Sequence, residues 1–268
     1  SLGIALAFVF AISQASADIT PLFQVRQNDE NGESYLKGET ITVTGVVTAA
    51  NEFGNPAYIQ DGTAGVAIYD SKFASKVAIG DSVILTGIVT VYRGLTEIES
   101  LTSSTIVANG CAVNPTLVTI AQIKGQAWDG FEMYEGSLLR VNQVWVISQS
   151  ATGKWVGGTN YKVTDGIDTL DLRVNATTNI VGQTIPKDTF DLIGDLGYYT
   201  AVKTPPWSDP RGYQIMPRFI TDILSDKGPI IMPPVTVSEI TPTAFTANFI
   251  TARPGSTGRP SSSRGRAA

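Results

Sequence analysis

A mostly β fold, built twice in tandem, is what this sequence predicts, and three observations predict it. Gly 26 and Pro 14 among 268 residues, with many Val, Ile and Thr, favour strands and turns over helices. Short runs of alternating apolar residues recur between turn signals. The order of those runs then repeats: Val163-x-Asp165-Gly166-x3-Leu170-x-Leu172 matches Ile59-x-Asp61-Gly62-x3-Val66-x-Ile68 at an offset of 104 residues.

The first copy reads as five strands. ETITVTGVVTAA (39–50) alternates Ile41, Val43 and Val46, with Gly45 at an expected bulge or bend. NEFGNP (51–56) is a turn cluster, and YIQDGTAGVAIYD (58–70) is a hairpin around Asp61-Gly62. SKFASKVAIGD (71–81) holds one short helical turn between the third and fourth strands. SVILTGIVTVY (82–92) is a long strand containing Gly87, and Arg93-Gly94 turns into LTEIESL (95–101). Closed into a barrel, these strands place Ile41, Val43, Ile59, Val66, Ile68, Val83, Leu85 and Ile98 inside.

In the second copy YEGSLLRVNQVWVIS (134–148), YKVTDGIDTLDLRV (161–174), IPKDTFDLIGDLGYY (185–199) and GYQIMPRFITDI (212–223) supply strands in the same order. Between the copies, TIAQIKGQA predicts a short helix with Thr119 as its cap. Trp155, in SATGKWVGG, is expected at a loop tip.

The ends read differently. SLGIALAFVFAISQASA (1–17), apolar and closing on Ala15-Ser16-Ala17, reads as part of a secretory signal peptide, so the chain is expected to be secreted or at a cell surface, with no stable membrane insertion after cleavage. PPVTVSEITPTAFTANFITA (233–252) predicts two short strands. Residues 253–268, with Arg253, Arg259, Arg264, Arg266 and no acid, have a disordered composition. The net charge is −5, so without that tail the rest carries −9, which disfavours tight polyanion binding. Histidine is absent, which excludes Ser-His-Asp and Cys-His triads and the usual zinc sites. Cys111, the single cysteine, forms no internal disulfide and is expected to be a small buried hydrophobe. No catalytic residues, metal site or cofactor are assigned, and the chain is not expected to be an enzyme.

Tyr58-Ile59-Gln60-Asp61-Gly62, Gly65, Gly80-Asp81 and Gly87, matched by Tyr134-Glu135-Gly136, Asp165-Gly166 and Pro217-Arg218…Asp222-Ile223, resemble the OB-fold-like domains of secreted bacterial proteins, which occur beside nucleases and in surface proteins of Bacteroidetes type. Residues 233–252 resemble the first strands of a fibronectin type III domain, as a truncated stub. The resemblance implies OB-like five-stranded barrels at 35–110 and 134–224, a connecting segment at 111–133, a linker at 225–232, the stub at 233–252 and the tail at 253–268.

It also implies a ligand face. In an OB-fold the outer face of the second and third strands, with the loops after strands one and four, holds the ligand. Tyr58, Gln60 and Tyr69 fall on that face, with Phe53, Tyr92 and Arg93 at its borders. Aromatic rings there stack on single-stranded nucleic acid, or on a glycan or protein; alternatively the tyrosines pack on the neighbouring copy or on the interdomain segment, and the chain is a spacer module. In the second copy Lys162 and Arg173 replace Tyr58 and Tyr69, which suits anionic contact instead. Asp165, Asp168 and Asp171 form a cluster read first as a turn and second as a calcium candidate.

Overall fold

The computed structural model describes residues 18–148 and 151–225, and beyond them the backbone of strands at 230–231, 237–241, 244–249, 251–252 and 261–266. The expected signal segment 1–17 lies outside the described residues. A short helix, α1 (Leu22–Val25), leads into β1 (Thr40–Ala49), β2 (Ala57–Gln60) and β3 (Gly65–Tyr69). Helix α2 (Ser71–Lys76) follows, and Asp70 caps it by accepting from the amides of Lys72 and Phe73. Then come β4 (Ser82–Tyr92) and β5 (Leu95–Ala108). These strands close a barrel in the order β1-β2-β3-β5-β4, with β3 and β5 parallel, so the five-stranded barrel expected for 35–110 is present. All eight residues assigned to its interior are at most 8% exposed.

Local chemistry explains the corners. Arg93 (φ 56°) and Gly94 (φ 93°) both lie in the left-handed region, which gives the tight β4–β5 turn its twist. The pairing of β4 with β5 shifts register between Thr86 and Ile88, where a Cβ on Gly87 would come within 2.7 Å of Ile98 and Leu101. Gly45 is not the bulge: β1 shifts register between Val47 and Ala49, and Gly45 instead lets the Gln60 carbonyl approach. The last strand runs to Ala108, beyond the 95–101 expected, because it continues pairing with β4.

The second unit opens on β6 (Thr116–Val118) and α3 (Ile120–Lys124), whose Thr119 and Gln122 form a reciprocal capping box. It continues through β7 (Leu138–Val146), β8 (Thr159–Thr164), β9 (Thr169–Val174), β10 (Phe190–Tyr198), β11 (Tyr213–Met216) and β12 (Ile223–Leu224). The seven strands form a sheet in the order β12-β10-β11-β9-β8-β7-β6, and β10 pairs with β7 as well. The hairpin register repeats that of the first unit at the same offset: Ile59 faces Val66 as Val163 faces Leu170. The parallel contact repeats too, Ile68 facing Ile98 as Leu172 faces Ile215. Asp61 and Asp165 close equivalent turns by accepting from the amides two and three residues on.

Two expectations are overturned here. Trp155 is 1% exposed rather than at a loop tip; it packs edge-on to Tyr161 at 4.7 Å, since an indole gains more from burial than from water. Cys111 is half-buried, its amide bonded to the Gly80 carbonyl at the edge of the barrel. Farther on, strands β14 (Val237–Thr241) and β15 (Ala244–Phe249), preceded by β13 (Ile230–Ile231), pair as the two strands expected within 233–252. After β16 (Thr251–Ala252), the tail contains β17 (Ser261–Arg266), which pairs with β15 although its composition argues against order.

The two units share a core. Ile59, Val66 and Ile68 point into the first barrel, while Phe53, Tyr58, Ala67 and Leu95 join the hydrophobic cluster of the second unit. At the seam Gly65 and Gly136 meet backbone to backbone; a Cβ on Gly65 would stand 2.1 Å from the Gly136 carbonyl oxygen.

Candidate binding site

The side chains offered for a ligand face divide into two sets. Tyr58 is 1% exposed and Phe53 8%, and their rings meet edge-on at 5.9 Å. The expectation of a solvent-facing Tyr58 is therefore overturned. The outer face of β2 and β3 is apolar enough (Tyr58, Ala67) to bury, and the second unit covers it. Gln60 is spent in the same seam, its Oε1 accepting from the Leu138 amide at 3.2 Å.

Tyr69 and Tyr92 remain in solvent at 51% and 57% exposure. They do not share one groove with Tyr58. Tyr69 faces Glu99 across β5, whereas Tyr92 faces Leu95, so the two lie about 13 Å apart along the strand direction. Arg93 stays with Tyr92 and gains a partner the sequence reading missed. Its guanidinium carbon is 5.9 Å from the ring centroids of both Tyr92 and Tyr199, and Nη1 donates to the Ala201 carbonyl at 2.6 Å. Tyr199 is 49% exposed and follows β10, whose run IPKDTFDLIGDLGYY mirrors the run that ends at Tyr92. The signal for Tyr199 was in that internal match, since the strand-four turns of both copies end in tyrosine.

On the second copy Lys162 pairs with Asp171 at 2.6 Å, and Arg173 donates to the Asn160 side chain at 3.0 Å. The two cations lie on neighbouring strands, each engaged within the sheet. The three aspartates of the calcium candidate are likewise committed. Asp165 caps its own turn, Asp168 pairs with Lys124 at 2.9 Å, and Asp171 holds Lys162. Among the described residues no group of three or more His, Cys, Asp or Glu is arranged to hold a metal ion.

Between the units lies a buried polar knot. Arg26, fully buried, pairs with Glu132 at 2.5 Å and with Glu135 at 2.8 Å. Asn28 and Tyr213 donate to Glu132, and the Thr96 amide donates to Glu135. Burial raises the Glu135 carboxyl despite Arg26, and the second carboxylate, Glu132, on the same guanidinium adds to the rise. Burial likewise raises Glu97 and Asp195 to about 7, the latter against the pull of Arg218 and a hydrogen bond from Thr48. These acids are enclosed; Glu135 bridges the units through Arg26 and the Thr96 amide, and Asp195 through the Thr48 hydroxyl.

No family model matches this chain, and no curated protein matches it. Among solved structures it is similar to asparaginyl-tRNA synthetase from Pyrococcus horikoshii, at 22% identity and a TM-score of 0.24 over 28% of this chain and 21% of that one. It is similar to a putative aspartyl-tRNA synthetase from Leishmania major Friedlin, at 13% identity and a TM-score of 0.29 over 47% of this chain and 27% of that one. A murine DNA-binding protein bound with double-stranded DNA matches at 13% identity and a TM-score of 0.30 over 65% of this chain and 92% of that one. The matched region thus spans 21% and 27% of the two synthetases' length, and similarity at these scores assigns neither a family nor a ligand.

Proposed function

We propose that the chain is a non-catalytic binding module of an exported protein, and that single-stranded nucleic acid stacks on Tyr92 and Tyr199 beside Arg93. The observation that carries this reading is the placement of two half-exposed tyrosines, one from each unit, around a single guanidinium. In this reading the second unit is a second OB-like barrel whose strand-four turn meets that of the first. The apolar segment 1–17 supports export. The absence of histidine, together with the enclosure of Glu97, Glu135 and Asp195, supports a non-catalytic role. A charge of −9 outside the tail makes such binding weak and salt-sensitive, because few phosphates are neutralised. The same acidity favours a glycan or protein ligand as the second reading.

Titration of a fluorescently labelled oligonucleotide at low salt tests the first reading. Two stacked bases contribute roughly 2–6 kcal/mol, so Tyr92→Ala/Tyr199→Ala is expected to abolish measurable binding. If the wild type does not bind, or binds no better than the double variant, the reading fails.

A further inference from the structure

We propose that the free edge of β5 at 102–108, with the groove it forms against α2, takes an extended acidic peptide as an added strand. A closed barrel leaves few backbone groups unpaired, but here β5 outlasts its neighbour. β3 ends at Tyr69, opposite Glu99, because Asp70 caps α2 and the chain turns into the helix. β5 continues to Ala108 beside β4. Among the described residues no strand pairs with its other edge at 102–108. Backbone N–H and C=O groups there point away from β4 with no ladder to join. Charged residues and proline commonly protect such an edge, and the run TSSTIVA contains neither.

The groove selects the peptide by charge. A cavity of about 290 Å³ lies between β5 and α2, lined by Lys72, Lys76, Leu101, Ser103 and Ser104 among others. Leu101 and Phe73 pack into the core of the first barrel and fix its floor, whereas Lys72, Lys76 and Ser103 are exposed. Lys37, Lys124 and Lys162 pair with acids; among the described residues Lys72 and Lys76 do not. Asp70 also lines the groove, but its carboxylate is engaged by the Lys72 and Phe73 amides. The two lysines stand one helical turn apart, about 6 Å along the axis, and alternate side chains of a strand stand about 6.6 Å apart. A Glu-x-Glu strand therefore matches their spacing. A small anion would satisfy the lysines and leave the edge unpaired; a peptide supplies the backbone partners as well. The chain's own 253–268 has four arginines and no acid, and a second copy would bring an uncharged TSSTIVA edge, so neither neutralises the lysines. At about 0.1 M salt the Debye length is about 10 Å, so the lysines rather than distant acids of the body set the local field.

Fluorescence anisotropy with labelled heptapeptides tests this on the full chain at that salt. TEVEVTV is expected to bind saturably. TKVKVTV reverses the charge, and TEPEPTV keeps it but removes two backbone donors; both are expected to bind about tenfold more weakly or not at all. Lys72→Glu/Lys76→Glu is expected to weaken TEVEVTV roughly tenfold, because two exposed ion pairs are lost and repulsion replaces them. Melting temperatures check that the variants fold. Lys72→Gln/Lys76→Gln, expected to weaken binding roughly threefold, decides the matter where the glutamate pair does not fold. No saturable change with TEVEVTV overturns the inference, as does equal affinity in wild type and lysine variants. Equal binding of TEPEPTV overturns it too, since carboxylates alone would then be recognised. Sedimentation showing a dimer that excludes the peptide would give the edge to a second copy and overturn it. Tyr92→Ala/Tyr199→Ala is expected to leave peptide binding unchanged, which separates this outcome from that of the nucleic-acid reading; a loss there would move the peptide to the tyrosine pair and overturn the inference.

Discussion

Two tyrosines of the same hairpin have opposite fates. Tyr58 and Tyr69 both point away from the interior of the first barrel, yet Tyr58 is enclosed by the second unit while Tyr69 remains in water. Tyr58 fills a site bounded by Phe53 and by Gly197, where an added Cβ would stand 3.3 Å from its hydroxyl. Removing that ring leaves a void at the seam. Tyr58→Ala is expected to cost about 3–5 kcal/mol in urea unfolding, as large aromatic truncations in cores do. Tyr69→Ala is expected to stay within about 0.5 kcal/mol of wild type. Equal effects would show that the second unit does not cover β2 and β3. The hairpin's alternation was legible in the sequence; the identity of what lies against its outer face was not, because alternation reports a face and not its neighbour.

At the scale of elements, the seam depends on backbone approach. The start of β3 and the residues before β7 touch through Gly65 and Gly136, and no flexible side chain is available to yield. Gly65→Ala is expected to destabilise by roughly 1–3 kcal/mol, the usual cost of overpacking, although the residue is in a strand where alanine is otherwise tolerated. Circular dichroism with urea titration checks this, and Gly62→Ala serves as the control, since nothing lies within 4 Å of a Cβ there. The Gly65 requirement left little trace in the sequence, where it reads simply as part of a hairpin. Helices α2 and α3 were legible because short helices rest on local chemistry; the Thr119 cap was read directly, and the structure adds Asp70 as the cap of α2. Trp155 was misplaced for the opposite reason: its surroundings, Tyr161 and the strand after it, come from the tertiary fold.

For the molecule as a whole, the buried acids make stability a function of pH. Burial raises Glu97 and Asp195 to about 7. A raised carboxyl holds a proton in the fold that the unfolded chain has already released. Its contribution is therefore full below the ordinary carboxylate range and is lost as pH rises through the folded value. Each such group adds a slope of up to about 1.4 kcal/mol per pH unit over that window. Asp29, Asp165 and Asp209 are half-buried; hydrogen bonds hold them low, against desolvation in the first two, so their opposing effects fall in more acidic solution. Unfolding free energy is expected to fall steadily from pH 5 to pH 8, and Glu97→Gln to flatten the decline. A rise over the same interval would mean that these carboxylates are ionised in the folded protein.

What the sequence by itself determined was the local and the periodic. The succession of strands along the chain, the paired Asp-Gly turns, the Thr119 cap and the interior of the first barrel follow from alternation and turn chemistry, which act over a few residues. The repeat carried the second hairpin's register, because the same offset preserves the same pairing. Only the tertiary structure decided which outer faces meet. Tyr58, Phe53 and Gln60 passed from candidate ligand contacts to the seam, while Tyr92, Arg93 and Tyr199 came together from turns more than 100 residues apart. The physical reason is that a side chain on an exterior strand face is set equally well for a ligand or for another domain. Burial of apolar area makes that choice, and that area belongs to a partner distant in sequence.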